Sequence, residues 1–133
     1  MTDDNGQVQS FLSSEDNYRS VKSLQDKNLI VPVSGDFAGP KTIRAIGTYV
    51  KARQSTVTAF YLSNVEQYLF QEGKEAAFVE NVATLPVTPA SVFIRPYSMR
   101  GGRSRPLCPI GAFVEAFTAG RIITNNQALA CGQ

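Results

Sequence analysis

Apolar positions along this chain follow two different periods. Between residues 16 and 27, Tyr18, Val21 and Leu24 recur at helical spacing with charges between them. That pattern predicts an amphipathic helix, capped by Ser14 or Asp16 and ended by Asn28. From Lys41 to about residue 53, Ile43, Ile46, Tyr49 and Val50 form a second stripe, with Pro40 suited to the first helical position. Val65, Tyr68 and Leu69 mark a third helix ending near Gly73, and Phe78, Val79 and Val82 give a fourth its buried face. Ile110, Phe113, Val114 and Phe117 mark a fifth helix stopped by Gly120, and a short last helix is expected over residues 125–130.

Three short runs between the helices read as strands. Residues 29–35 (LIVPVSG) are a continuous apolar run, the habit of a strand covered on both faces, although Pro32 removes one ladder donor. Residues 56–62 (TVTAFYL) are β-branched and aromatic, and residues 91–95 (SVFIR) give a third candidate. Strands that alternate with helices of this length imply crossover connections and an α/β fold with a parallel sheet. Residues 1–15 read as a disordered acidic lead, leaving residues 16–133 as one domain.

A length of 133 residues suits a single core, and 43% hydrophobic against 18% charged residues excludes wholesale disorder. No apolar run approaches the length of a membrane span, and the acidic start is unlike a secretion signal, so a cytoplasmic location is expected. The chain has no histidine and no tryptophan. It therefore cannot supply a histidine-dependent nucleophile or metal site by itself, and no metal is expected. Cys108 and Cys131 are too few for a thiolate zinc site. In a reducing compartment they are expected as free thiols in small, buried positions.

Net charge is only +2, but its signs are segregated. Residues 1–17 carry Asp3, Asp4, Glu15 and Asp16 with no base, whereas residues 91–133 carry five arginines against Glu115 alone. Arg100, Arg103 and Arg105 lie in a glycine-containing loop after Tyr97. They are anion-binding candidates, with a solvated loop as the ordinary reading and nucleic acid as the weaker one.

In parallel α/β sheets, ligands bind beyond the carboxyl ends of the strands. That rule selects Asp36 and Phe37 after the first strand, Ser63, Asn64 and Glu66 after the second, and Arg95 with Tyr97 at the third. Each has a structural alternative. Asp36 is also a turn residue, Ser63 and Asn64 are helix caps, and Glu66 suits a positive helix end. Gly35 and Gly39 point to positive φ or close packing, and Phe60 and Tyr61 to the core rather than to stacking platforms. No complete acid/base set emerges. The first strand would also keep an unpaired edge, which implies either self-association through residues 29–35 or a missing half-domain.

The stretch NLIVPVSGDFAGPKTIRAIGTYVKARQSTVTAFYLSNVEQYLF resembles the C-terminal half of an uncharacterised bacterial family of Rossmann-like proteins, similar to class I S-adenosylmethionine-dependent methyltransferases. The likeness continues through FVENVATLP, VFIRPY and PLCPIGAFVEAFTAGRIITNNQALA, covering most of residues 17–131. It implies a three-layer Rossmann-like sheet with helices on both faces, present here as an incomplete half-domain. Family members are about twice as long, and their N-terminal half carries the cofactor fingerprint. This chain has no glycine-rich strand–turn–helix near its start, so S-adenosylmethionine binding is expected only with that half present. A non-catalytic binding or scaffold module is the alternative.

Overall fold

A computed structural model describes residues 6, 8, 10–95 and 107–131, which fall into two compact units, Met1–Ser34 and Gly35–Gln133. Residues 1–5, 7 and 9 of the expected disordered lead, and the loop holding Tyr97, Arg100, Arg103 and Arg105, lie outside the described residues.

Among the described residues the first unit contains one helix, α1 (Glu15–Asp26). The Ser14 side chain accepts from the Asn17 N–H at 3.1 Å, and Glu15 and Asp16 meet the positive helix end, so the predicted start is realised. Asn28 ends the helical segment in the left-handed region, with φ 53°. No residue of α1 is buried.

The run after it departs from expectation. Residues 29–34 belong to no strand, and Leu29, Ile30, Val31 and Val33 are all exposed, Val31 by 59%. A strand is defined by its ladder, and β-propensity alone does not provide a partner. Pro32 further removes a donor from the centre of the run.

The second unit runs in the order α2 (Thr42–Ala52), β1 (Ala59–Tyr61), α3 (Val65–Gln71), α4 (Glu75–Ala83), β2 (Val92–Ile94), β3 (Leu107–Pro109), α5 (Ile110–Thr118) and α6 (Asn125–Leu129). Every helix anticipated from the apolar stripes is present. Gly35 opens the unit, and a Cβ there would collide with the Thr42 hydroxyl, so close packing explains that glycine.

The described sheet has three strands in the order β1-β2-β3. β1 and β2 are parallel, as expected for strands joined through two helices. β3 lies antiparallel to β2, so the sheet is mixed and the expectation of an all-parallel sheet is corrected. A proline at the end of β3 is tolerated because that strand forms an edge of the described sheet. The result is a mixed α/β architecture.

Register explains which side chains reach the core. Phe60 stands opposite Phe93, and Phe93 opposite Cys108, giving one row across all three strands. Phe93 and Cys108 are completely buried, whereas Tyr61, Ile94 and Leu107 on the alternate positions are exposed. Burial along these strands therefore alternates with period 2, one face turned to the core. Phe93 is the centre of an aromatic cluster, with its ring 5.6 Å from Phe60 and 5.2 Å, edge-on, from Phe113. Phe78 joins them from α4 and Phe37 from the turn before α2.

Cys108 and Cys131 form a disulfide, with their Cα atoms 5.8 Å apart, which corrects the expectation of two free thiols. Their expected burial is found. Among the described residues no helix is long and apolar enough to cross a membrane.

Truncating Phe93 tests where the core is centred. Phe93→Ala removes the ring that contacts both Phe60 and Phe113, and should cost about 3–5 kcal/mol. Urea denaturation should show a lowered midpoint with an unchanged slope; a loss below ~1 kcal/mol would place the core elsewhere.

Candidate functional site

The carboxyl ends of the parallel pair bring two of the selected residues together. β1 continues through buried Leu62, whose N–H donates to the Ile94 carbonyl at 3.0 Å, and the chain then turns at Ser63 with φ 50°. That left-handed turn starts α3 at once, placing Glu66 in its first turn. Arg95 follows directly on β2. The Arg95 guanidinium donates from Nε to Glu66 Oε2 at 2.6 Å and from Nη2 to Oε1 at 2.8 Å.

This fork-on-fork pair is removed from water, the two side chains being 0% and 3% exposed. Charge-assisted bonds of this geometry are the stronger kind, and they specify the relative placement of the groups they join. The guanidinium carbon also lies 5.1 Å from the centre of the Phe93 ring and 5.0 Å from that of Phe113. Aromatic faces beside a desolvated cation contribute further attraction. Arg95 Nη1 has no hydrogen-bond partner among the described residues. Both carboxylate oxygens of Glu66 accept from Arg95, so the arrangement fixes α3 against the end of β2.

Ser63 and Asn64 flank the pair but do not cap α3 through their side chains. The reason is conformational. A capping residue is normally extended, whereas Asn64 has φ −104° and ψ 13°. Asp36 takes the turn alternative, its Oδ1 accepting from the Ala38 N–H at 2.9 Å. Phe37 packs its ring against Phe60 and Phe78, at 6.0 and 6.3 Å between centres. Tyr97 lies outside the described residues.

A second polar cluster was not anticipated from the sequence. Asn81 is 1% exposed on α4 and donates from Nδ2 to the carbonyls of Phe37 and Gly39, both at 2.9 Å. Its Oδ1 accepts from Arg44 Nε at 2.7 Å. One amide thus pins the GDFAGP turn to α4 while α2 supplies the remaining donor. The signal was present in the chain, since Asn81 lies between Phe78, Val79 and Val82 on an apolar face. A polar residue at such a position must find partners.

Lys74, at the start of α4, has its ammonium held above its ordinary pKa, first by the hydrogen bond and charge of Glu72 and then by the field of Asp36. Beside β1, Ile43, Ile46, Val57, Ala59, Phe60 and Leu85 line an open apolar cavity of about 230 Å³. It contains no convergent polar group.

These features define a small α/β domain organised around a buried ion pair at the ends of two parallel strands. The chain belongs to a family described as a domain of unknown function (DUF7790), which matches residues 1–111 and so includes both Glu66 and Arg95. No curated protein matches the chain.

A double substitution separates the two costs in the buried pair. Arg95→Met alone strands a carboxylate and should destabilise by about 3–5 kcal/mol. Glu66→Leu combined with Arg95→Met removes both charges and should recover most of that loss. Equal stability of the single and double variants, measured by urea titration, would show that the residues are not coupled.

Proposed function

We propose that this chain is a non-catalytic binding module that acts by association, and that the apolar run after α1 is its contact element. The observation that carries this reading is the exposure of Leu29, Ile30, Val31 and Val33 in a segment with no ladder of its own. The candidate ligand groups meanwhile serve the fold: Asp36 closes a turn and Glu66 is engaged by Arg95. Full burial of a Val, Leu or Ile side chain contributes roughly 1.5–3 kcal/mol, so four clustered ones give a partner something to cover. The partner is either a second copy, meeting this one through residues 29–33, or an N-terminal half-domain that completes the sheet. The cytoplasm is the proposed location. The arginine loop is not part of this proposal, because Arg100, Arg103 and Arg105 lie outside the described residues.

A second reading makes the chain the C-terminal half of a methyltransferase-like Rossmann protein. It is favoured by the parallel β1–β2 pair, which carries a carboxylate and a guanidinium at its carboxyl ends. On that reading S-adenosylmethionine would be held by the other half, and residues near Ser63, Asn64 and Arg95 would form the substrate rim.

One measurement tests the association reading, and a second tests the expectation, common to both readings, that this chain holds no complete cofactor site. Light scattering should find the chain self-associated, and Val31→Lys should weaken that association at least tenfold, because covering the run would then desolvate an unpaired ammonium. A monodisperse wild-type monomer with a cooperative melt would sink the association reading. Calorimetry with S-adenosylmethionine should give no binding; a Kd near ~1 μM, equivalent to about −8.2 kcal/mol, would require a complete cofactor site in this chain.

A further inference from the structure

The bridge between Cys108 and Cys131 joins residues with very different support. Cys108 is central in β3, in register with Phe93 and 0% exposed. Cys131 is 9% exposed, just past the end of α6, with φ 62°. That left-handed conformation is disfavoured for a residue bearing a Cβ. α6 has five residues, too few to persist alone, and Ala128 is its one buried side chain. Its start is secured by a capping box, with Gln127 Oε1 accepting from the Thr124 N–H at 3.0 Å and the Gln127 N–H donating to Thr124 Oγ1 at 3.3 Å. Its other end is held by sulfur. α5, inside the same covalent loop, has a buried face of its own in Ile110, Phe113 and Ala116.

We propose that this disulfide is a thiol-responsive latch that holds α6 against the body of the second unit. In the oxidised state residues 125–131 are fixed to β3, and α6 packs on α3, the helix that carries Glu66. In the reduced state α6 is released, and the face of α3 that it covers becomes accessible. Disulfides in a reducing compartment are characteristically transient or redox-sensing, so the proposed location and the observed bridge fit together in a switch. The inference does not depend on the association reading, because every group it uses lies within the second unit.

The exchange balances with a dithiol as reductant. One thiolate of the reductant attacks Sγ of Cys131, the less buried of the two residues, forming a mixed disulfide and expelling Cys108 as a thiolate. Cys108 takes up a proton; in the bridged form its sulfur lies 3.8 Å from the Pro109 carbonyl, an acceptor within reach of the new thiol. The second thiol of the reductant displaces Cys131, which is protonated in turn. Two electrons and two protons reach the protein, and the reductant departs as a cyclic disulfide.

Hydrogen exchange on the full chain, before and after dithiothreitol, tests the latch alongside thiol alkylation and mass measurement. Both cysteines should resist alkylation until reduction. Amides of residues 125–131 should then exchange at least tenfold faster while those of β1 and β2 remain protected. Cys131→Ser should reproduce the reduced pattern, and reoxidation of the wild type should restore the original one. The proposal fails if both thiols are alkylated without reductant, or if exchange over residues 125–131 is unchanged on reduction. Loss of protection throughout the second unit would also overturn it, by showing that the bridge staples the whole fold.

Discussion

Removing a carboxylate and a guanidinium from water costs several kcal/mol per ion, and much of this domain is arranged so that the cost is met. Glu66 must sit where both of its oxygens reach Arg95, so α3 must begin immediately after β1. The left-handed turn at Ser63 achieves this within one residue of Leu62. Arg95 must lie at the same end of the neighbouring strand, which the parallel register of β1 with β2 provides. Phe93 and Phe113 then close over the guanidinium. An apolar pair of similar volume would hold these elements together at least as well, but it would tolerate displacement along the strands. The forked geometry does not, and we read its contribution as specificity of arrangement more than net stability.

The Asn81 cluster follows the same logic at another place in the second unit. Two carbonyls of the GDFAGP turn would otherwise lose their side-chain donor, and α2 and α4 would keep only packing and the exposed Arg44–Glu80 ion pair between them. One amide satisfies both carbonyls and accepts from Arg44, so a turn that glycine makes permissive is fixed in a single form. Buried polar groups therefore decide the positions of α2, α3 and α4, and the phenylalanine cluster fills the space those positions define.

Much of the helical framework was legible in the sequence, because a helix is specified by residues close in the chain. Tyr18, Val21 and Leu24, or Phe78, Val79 and Val82, report their own periodicity without reference to anything distant. Strands are different. Residues 29–33 carry the apolar composition of a buried strand, Pro32 apart, yet a ladder needs a partner that composition does not reveal. β3 is the opposite case, since Leu107, Cys108 and Pro109 look like the end of a loop and become a strand only because β2 offers an edge. Glu66 and Arg95 were individually selected as strand-end residues, but their mutual engagement depends on register, a non-local property. The 23-residue separation of the cysteines carried no pairing information for the same reason.

Three strands of three residues each supply few ladder bonds, and so small a sheet needs an apolar face or a helix packed on it to be stable. The second unit must therefore draw its cohesion from side chains: the row formed by Phe60, Phe93 and Cys108, the helices packed over it, and the two polar clusters. Such a core is strongest where these contributions overlap, around Phe93, and weakens toward the segments that make only one of them. α6 is such a segment, with one buried side chain, one cap and one sulfur bridge. Local stability in proteins is graded in this way, and elements at the weak end open without the rest. Covalent control over α6 thus acts at the point where the least packing stands in its way, while Cys108 is held beside Phe93 of β2 by the sheet itself.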